Sequence, residues 1–361
     1  MTDCVLHIGV EKTGTTSIQA TLAANRDQLL RVGILCPRSL GEKINARAYA
    51  YASEGPLDEI KVQCGLDGPG SLEDFRRDVA RQFADEVAGA KPKKIIICNE
   101  HLSSRLRSTS EISRLERLLT RQCQSIKVVV YLRAQGDAHR SAYSTYVKTG
   151  GTDAFHAPNP TLLRDRYVYD LMLQRWESVF GSESMDVRIY DPAKFPEGDV
   201  LLDFADLFDG LISISDLVRE PHKNSSLDSF SLAFLRAMNR YVPYKSGAEI
   251  NELRGNLHEL VEKIAYGTPF EGDAEVIEAV DAAVGESNEA VRRKYFPQRP
   301  APLFPAVTRA GGASSGAPEI PDEAVRLMAF LWEAKQTQVL GLKRRLDRLS
   351  QATGPRAEPK P

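Results

Sequence analysis

Four short runs rich in Val, Ile and Leu are separated by longer segments of helical periodicity over the first two-thirds of the chain. This alternation constrains the fold more than any other feature. The runs Val5–Ile8, Lys94–Cys98, Lys127–Leu132 and Asp186–Tyr190 have the length and β-branched character of strands. Between the first two, Leu72, Phe75, Val79, Phe83 and Val87 recur at steps of three and four, the period of a helix with one buried face. Ile112, Leu115 and Leu119 repeat the pattern before the third run. Strands joined through helices need crossover connections, so the spacing predicts an α/β fold with a parallel sheet flanked by helices. From about Leu227 the pattern reads as helix only, over Leu227–Tyr241, Glu249–Ala265 and Glu275–Tyr295. A helical C-terminal part is therefore expected.

The 361 residues are enough for one large domain or two smaller ones. With 47 Lys+Arg against 49 Asp+Glu, the formal net charge is −2. That balance excludes a broadly basic surface, and no nucleic-acid partner is expected. Any anion must be held by a few local cations and backbone amides. The longest strongly apolar runs, Ile95–Cys98 and Val128–Leu132, fall far short of the ~20 residues of a membrane span. The N-terminal MTDCVLHIG lacks a basic region and a long apolar stretch, so it reads as a first strand and not a secretory signal. Cys4, Cys36, Cys64, Cys98 and Cys123 are widely spaced with no CxxC pair, which predicts reduced thiols, no metal site and a cytoplasmic protein.

Residues 297–321 bring a composition break, with six prolines and the run Gly311-Gly312-Ala313-Ser314-Ser315-Gly316. The division expected is an α/β domain over 1–296, a linker over 297–321, a helix over 322–351 and a disordered tail over 352–361. In that helix Val325, Met328, Trp332, Lys335, Val339, Leu342, Leu346 and Leu349 step 3-4-3-4-3-4-3, a heptad seam. The seam fits packing back on its own domain, or pairing with a second copy as a homodimer.

The strongest local signal is His7-Ile8-Gly9-Val10-Glu11-Lys12-Thr13-Gly14-Thr15-Thr16-Ser17, placed after a strand and before an amphipathic helix. A glycine-bearing turn feeding a helix N-terminus gathers unpaired amides at the positive end of the helix dipole, which suits a phosphate or sulfate. Thr15, Thr16 and Ser17 add hydroxyl donors. A Walker A loop would place lysine directly after the second glycine; here Thr15 stands there and Lys12 precedes Gly14.

Lys-Thr-Gly-Thr-Thr after a first strand resembles the 5′-phosphosulfate loop of sulfotransferases that use 3′-phosphoadenosine 5′-phosphosulfate (PAPS), which implies a P-loop-type sheet. The family's second motif, a strand, Arg, seven residues, Ser and an aromatic, is matched by Val128–Leu132, Arg133 and Ser141, with Asp137 and Tyr143 also agreeing. The resemblance implies that Lys12, Thr13, Gly14, Thr15, Thr16 and Ser17 hold the 5′ end of PAPS, while Arg133 and Ser141 grip the 3′-phosphate. Tyr190, on a strand followed by Lys194-Phe195, is similar to the aromatic near the adenine. Lys223-Asn224-Ser225 resembles the loop that closes over the nucleotide. The spacing up to Tyr295-Phe296-Pro297 is most similar to bacterial members acting on carbohydrate-like acceptors, and the likeness runs over about residues 4–300.

The implied reaction is in-line transfer of a sulfonyl group to an acceptor hydroxyl, metal-independent, with Lys12 at the leaving-group oxygens and release of 3′-phosphoadenosine 5′-phosphate. Relatives use Glu or His as base, and Glu100 and His101 follow a central strand, where open α/β sheets bind ligands. Strand residues alternate faces, so one of the two should point at the acceptor, with Glu100 the first choice. Tyr143, Tyr146, Lys148, Phe155, Tyr167 and Tyr169 could line a saccharide site, or could be packing residues. Two other readings stay open: a P-loop kinase or NTPase using ATP-Mg, and a non-catalytic nucleotide- or glycan-binding module.

Overall fold

The structure, a computed structural model, describes residues 2–68, 70–219, 227–246, 249–264, 268, 270–305 and 320–352. Lys223–Ser225, most of the expected linker and the tail after Ala352 lie outside the described residues.

The residues group into two compact units that are not contiguous in sequence. The first draws on 1–138, 157–223 and 278–308; the second on 139–156, 224–277 and 309–361.

The first unit holds a five-stranded sheet of β1 (Asp3–His7), β2 (Ile34–Leu35), β3 (Lys94–Cys98), β4 (Ser125–Leu132) and β5 (Met185–Ile189), in the order β2-β3-β1-β4-β5. All four pairings are parallel. The apolar runs make this arrangement favourable. Every residue of β3 is buried, as expected of a central strand covered on both faces. Successive residues point to opposite sides. Cys4, Leu6, Ile95, Ile97 and Val128 join one core with Phe83, Leu115 and Trp176 from the helices Leu72–Ala90, Thr109–Thr120 and Tyr169–Phe180. Val5, Ile96, Val129 and Tyr131 join the other with Ile18, Leu22, Phe204 and Phe208. The chain leaves β1 in one direction for β2 and β3, then crosses to β4 and β5. The loop after β1 thus emerges where the sheet's winding reverses, the usual place for a ligand crevice.

The predicted parallel α/β sheet is present, and the edge strand β2 is an addition. The C-terminal part departs from pure helix. The two strands β6 (Lys245–Ser246) and β7 (Glu249–Ile250) form an antiparallel pair, and helix resumes only at Leu257–Lys263. Gly255, at φ 51°, breaks the run read as Glu249–Ala265, and Asn251 caps a short turn before it by accepting from Leu253 N at 3.0 Å. The run Glu275–Tyr295 is two helices, Ala274–Ala283 and Gly285–Tyr295.

In the second unit Leu232, Leu235, Met238, Leu257 and Val261 pack with Val325 and Ala329 of the long helix Asp322–Ala352. Trp332 is half-buried there and donates to the carbonyls of Leu253 and Arg254, at 3.0 and 3.2 Å. The heptad seam is accordingly split: Val325 and Trp332 pack within the unit, whereas Met328, Leu342, Leu346 and Leu349 are exposed. Among the described residues no helix is long and apolar enough to cross a membrane.

Candidate active site

Past its last strand residue, the chain after β1 stays tied to β4. Ile8 N donates to Val129 O at 2.9 Å, Val10 N to Tyr131 O at 3.0 Å, and Tyr131 N to Gly9 O at 2.7 Å. The loop therefore starts from a fixed platform. Gly9 has φ 112°, and a Cβ there would lie 3.0 Å from Glu100 Cα, so this glycine lets the chain pass directly over the end of β3. Thr13 closes the turn by donating its hydroxyl to Val10 O at 2.6 Å.

Gly14, at φ 77°, is the N-cap of the helix Thr15–Ala24, which has no side-chain cap at this end. The amides of Thr15 and Thr16 precede the first intrahelical bond, Ser17 N to Gly14 O at 3.0 Å, and stand at the positive end of the dipole. Thr15 is buried, Ser17 half-buried and Thr16 exposed. A Cβ at Gly14 would meet Val200 Cγ1 at 2.6 Å, and its φ disfavours any L side chain. Gly14→Ala should therefore displace the turn and weaken anion binding at least tenfold, by titration calorimetry, while lowering the melting temperature by only a few degrees.

A side-chain bond also links Lys12 of the loop to Arg133 at the end of β4. Lys12 itself has a left-handed backbone, φ 68°, a conformation that costs a non-glycine residue on the order of 1 kcal/mol. Its carbonyl accepts from Arg133 Nη1 at 2.7 Å. Arg133 follows β4, and its guanidinium lies 5.5 Å over the Tyr190 ring. Tyr190 N continues the β5 ladder by donating to Leu132 O at 2.7 Å, and Tyr169 Oη donates to Arg133 O at 2.9 Å. Lys12, Gly14, Arg133 and Tyr190 are thus brought together.

Glu100 and His101 do not lie on a strand. β3 ends at Cys98, where Asn45 Oδ1 accepts from Cys98 N and Asn45 O from the Asn99 side chain, both at 2.9 Å. Asn99 Oδ1 accepts from His101 N at 2.8 Å, turning the chain into the short helix His101–Arg105 with Glu100 as its N-cap. Strand alternation therefore does not choose between Glu100 and His101, because helical residues follow each other by about 100°. The Glu100 carboxylate accepts a hydrogen bond from the Gln19 amide.

His101 faces a residue that the sequence did not single out. Its Nδ1 lies 3.7 Å from Glu11 Oε1, longer than a hydrogen bond, and is buried with no hydrogen-bond partner. Glu11 also accepts from Ser104 Oγ at 2.9 Å and pairs with Arg166 Nη1 at 3.3 Å. Burial pushes the Glu11 carboxyl up, but His101, Arg166 and Ser104 outweigh it and draw the value down to about 2. The available signal was an acid beside Lys12 in the glycine-bearing turn.

Beneath the loop, fully buried His7 lies with Nδ1 2.9 Å from Cys98 Sγ, and its ring meets Tyr131 and Phe204 edge-on. Burial, reinforced by the charge of Arg188, lowers His7 to about 3. The unfolded chain takes up this proton near the usual 6.5 and the folded one only near 3, so stability must fall as the pH drops between these values. The loss should reach roughly 2–3 kcal/mol at about pH 4.5. Urea midpoints at neutral and acid pH should show a smaller acid loss in His7→Gln. All five cysteines are free thiols.

Ser141 belongs to the second unit, half-buried on the helix Gln135–Lys148. Tyr143 there packs against Phe155 and Phe270, with ring centroids at 5.2 and 5.3 Å, and Tyr146 donates to Asp153 at 2.6 Å. Lys148 pairs with Glu262. Tyr167 and Tyr169 are buried in the first unit. Most of this aromatic set serves packing.

No protein-family model matches the chain. An uncharacterized protein of Archaeoglobus fulgidus is 31% identical over 183 residues, which make up 47% of this chain and 46% of that protein. The chain thus spans just under half the length of the curated relative it matches. A crystal structure of a sulfotransferase from Alicyclobacillus acidocaldarius is similar with TM-score 0.40 and 18% identity, over 62% of this chain and 86% of that one. A sulfotransferase domain from the curacin biosynthetic pathway is similar with TM-score 0.33 and 12% identity, over 79% of this chain and 96% of that one. All three are distant.

Proposed function

We propose that the chain is a sulfotransferase that moves a sulfonyl group from PAPS to a hydroxyl of a carbohydrate or glycoconjugate, in-line and without a metal. The observation that carries this reading is the Arg133–Lys12 bond, which joins the two motifs of the resemblance although 121 positions separate them. The residues fit a nucleotide with phosphates at both ends. An uncapped helix terminus and Lys12 offer donors on one side, and Arg133 stacks on Tyr190 on the other.

PAPS supplies the sulfonyl group and 3′-phosphoadenosine 5′-phosphate as leaving group. An acceptor oxygen forms the new bond to sulfur as the bond from sulfur to the 5′-phosphate oxygen breaks. Lys12 neutralises charge on the departing phosphate, and the amides of Thr15 and Thr16 hold it. The acceptor proton goes to His101. Glu100, whose carboxylate is engaged by Gln19, is the weaker candidate. Glu11 acts as a positioning residue that favours a proton on His101 Nδ1 and so leaves Nε2 to accept.

Incubating the protein with 35S-labelled PAPS and a panel of neutral and anionic saccharides tests the reading. Label should pass to a saccharide hydroxyl and survive chelation of divalent metals. Transfer that needs Mg2+ and ATP would replace this reading with the kinase one.

A further inference from the structure

Arg175 is a cation without a counter-ion of its own. It stands half-buried on the helix Tyr169–Phe180, with its Nε buried and unbonded. Among the described residues its side chain makes no hydrogen bond or ion pair. Burial holds its guanidinium below the ordinary value; Asp165 opposes this, but Arg107 and Arg164 add to it. Asp165 is already engaged, with Oδ2 2.7 Å from Arg107 Nη1 and Oδ1 3.2 Å from Arg164 Nε. Three guanidinium groups therefore share one carboxylate. The other nearby acids are committed elsewhere. Glu111 accepts from the amides of Glu54, Arg107 and Ser108, and Glu177 from Lys294 and Tyr295.

This cluster adjoins the proposed base within the first unit. Arg166 follows Asp165 on the helix Pro160–Tyr167 and pairs with Glu11 at 3.3 Å, and Glu11 lies 3.7 Å from His101 Nδ1. Ser104, which donates to Glu11 at 2.9 Å, stands three residues before Arg107. Two chain segments thus lead from the Glu11–His101 pair to the arginines. Arg166 and Glu11 offset each other, so the excess positive charge belongs to Arg107, Arg164 and Arg175.

We infer that Arg107, Arg164 and Arg175 form an anion subsite that takes the carboxylate or sulfate of an acidic saccharide while a hydroxyl of the same molecule faces His101. The acceptor's role rests on the sulfotransferase reading; the affinity for the anion does not. Arg107 and Arg164 are exposed and can be reached by a ligand. The planar guanidinium fork matches two oxygens of either anion, and Arg175, already partly removed from water, gains the partner it lacks. A neutral saccharide leaves the three cations as they are, so charge sets the choice of acceptor.

The test compares cellobiose, cellobiouronic acid and cellobiose 6′-sulfate by ligand-observed NMR titration of the full chain, with and without saturating 3′-phosphoadenosine 5′-phosphate. At least one anionic disaccharide should bind ten times more tightly than cellobiose or better, and the tighter of the two names the group. Arg175→Met, which keeps the apolar stem, and Arg107→Gln, at an exposed position, should each reduce that preference at least fivefold. Binding of cellobiose and the circular dichroism spectrum should not change, which a merely structural role would not allow. Equal binding of all three sugars, binding of none at millimolar concentration, or a preference that survives both substitutions overturns the inference. Failure of the nucleotide to bind overturns the sulfotransferase reading instead, and the anion preference is then still read in the nucleotide-free chain.

Discussion

Lys12→Met should lower sulfonyl transfer by roughly two to three orders of magnitude, the usual cost of removing one preorganised donor from developing negative charge. The substitution keeps an unbranched stem and the main-chain carbonyl that Arg133 holds at 2.7 Å. Methionine meets the same left-handed backbone as lysine, so loop strain is nearly unchanged. What disappears is the ammonium group. The main loss should be in kcat, because charge on the leaving phosphate grows toward the transition state. Single-turnover measurement with labelled PAPS separates this from binding. A variant that keeps a tenth or more of the wild-type rate would remove Lys12 from the leaving-group role.

The second large effect concerns the base. His101→Ala is expected to lower kcat by about 10²–10⁴-fold, the range of general-base catalysis. Glu100→Gln should cost no more than about tenfold, because an amide oxygen can still accept from Gln19 and keep the turn after β3 in place. Glu11→Gln should fall between the two in kcat and leave binding of 3′-phosphoadenosine 5′-phosphate intact, since Glu11 acts on the imidazole and not on the nucleotide. An inactive Glu100→Gln beside an active His101→Ala would reverse the roles.

The sheet was readable because its chemistry is local. In β3 every residue is buried and all but Lys94 are apolar, so composition alone marks Lys94–Cys98. Ile34–Leu35 is too short for any periodicity and gains its strand character only by pairing with β3. In the C-terminal part the apolar spacing around Leu253, Leu257 and Val261 suggested one helix, but Gly255 and the Asn251 cap override it. The loop glycines and Arg133 were visible as a motif, whereas the bond that unites them depends on β1 and β4 being neighbours. Glu11 was invisible for a similar reason. Its partners His101, Ser104 and Arg166 come from two other segments and converge only after the sheet has formed. Which part of the heptad seam on Asp322–Ala352 packs could not be read from spacing, because Leu342, Leu346 and Leu349 keep the step of Val325 and Trp332 yet are exposed.

The central claim is that the loop after β1 and the end of β4 form one metal-independent site for a nucleotide with phosphates at its 3′ and 5′ ends. Titration calorimetry of the full chain with 3′-phosphoadenosine 5′-phosphate in the presence of a chelator, compared with ATP-Mg, tests it most directly. The account predicts tight, saturable binding of the former, lost or weakened at least tenfold in Arg133→Ala, and no binding of ATP-Mg. Binding of ATP-Mg alone, or equal binding by wild type and Arg133→Ala, would contradict it.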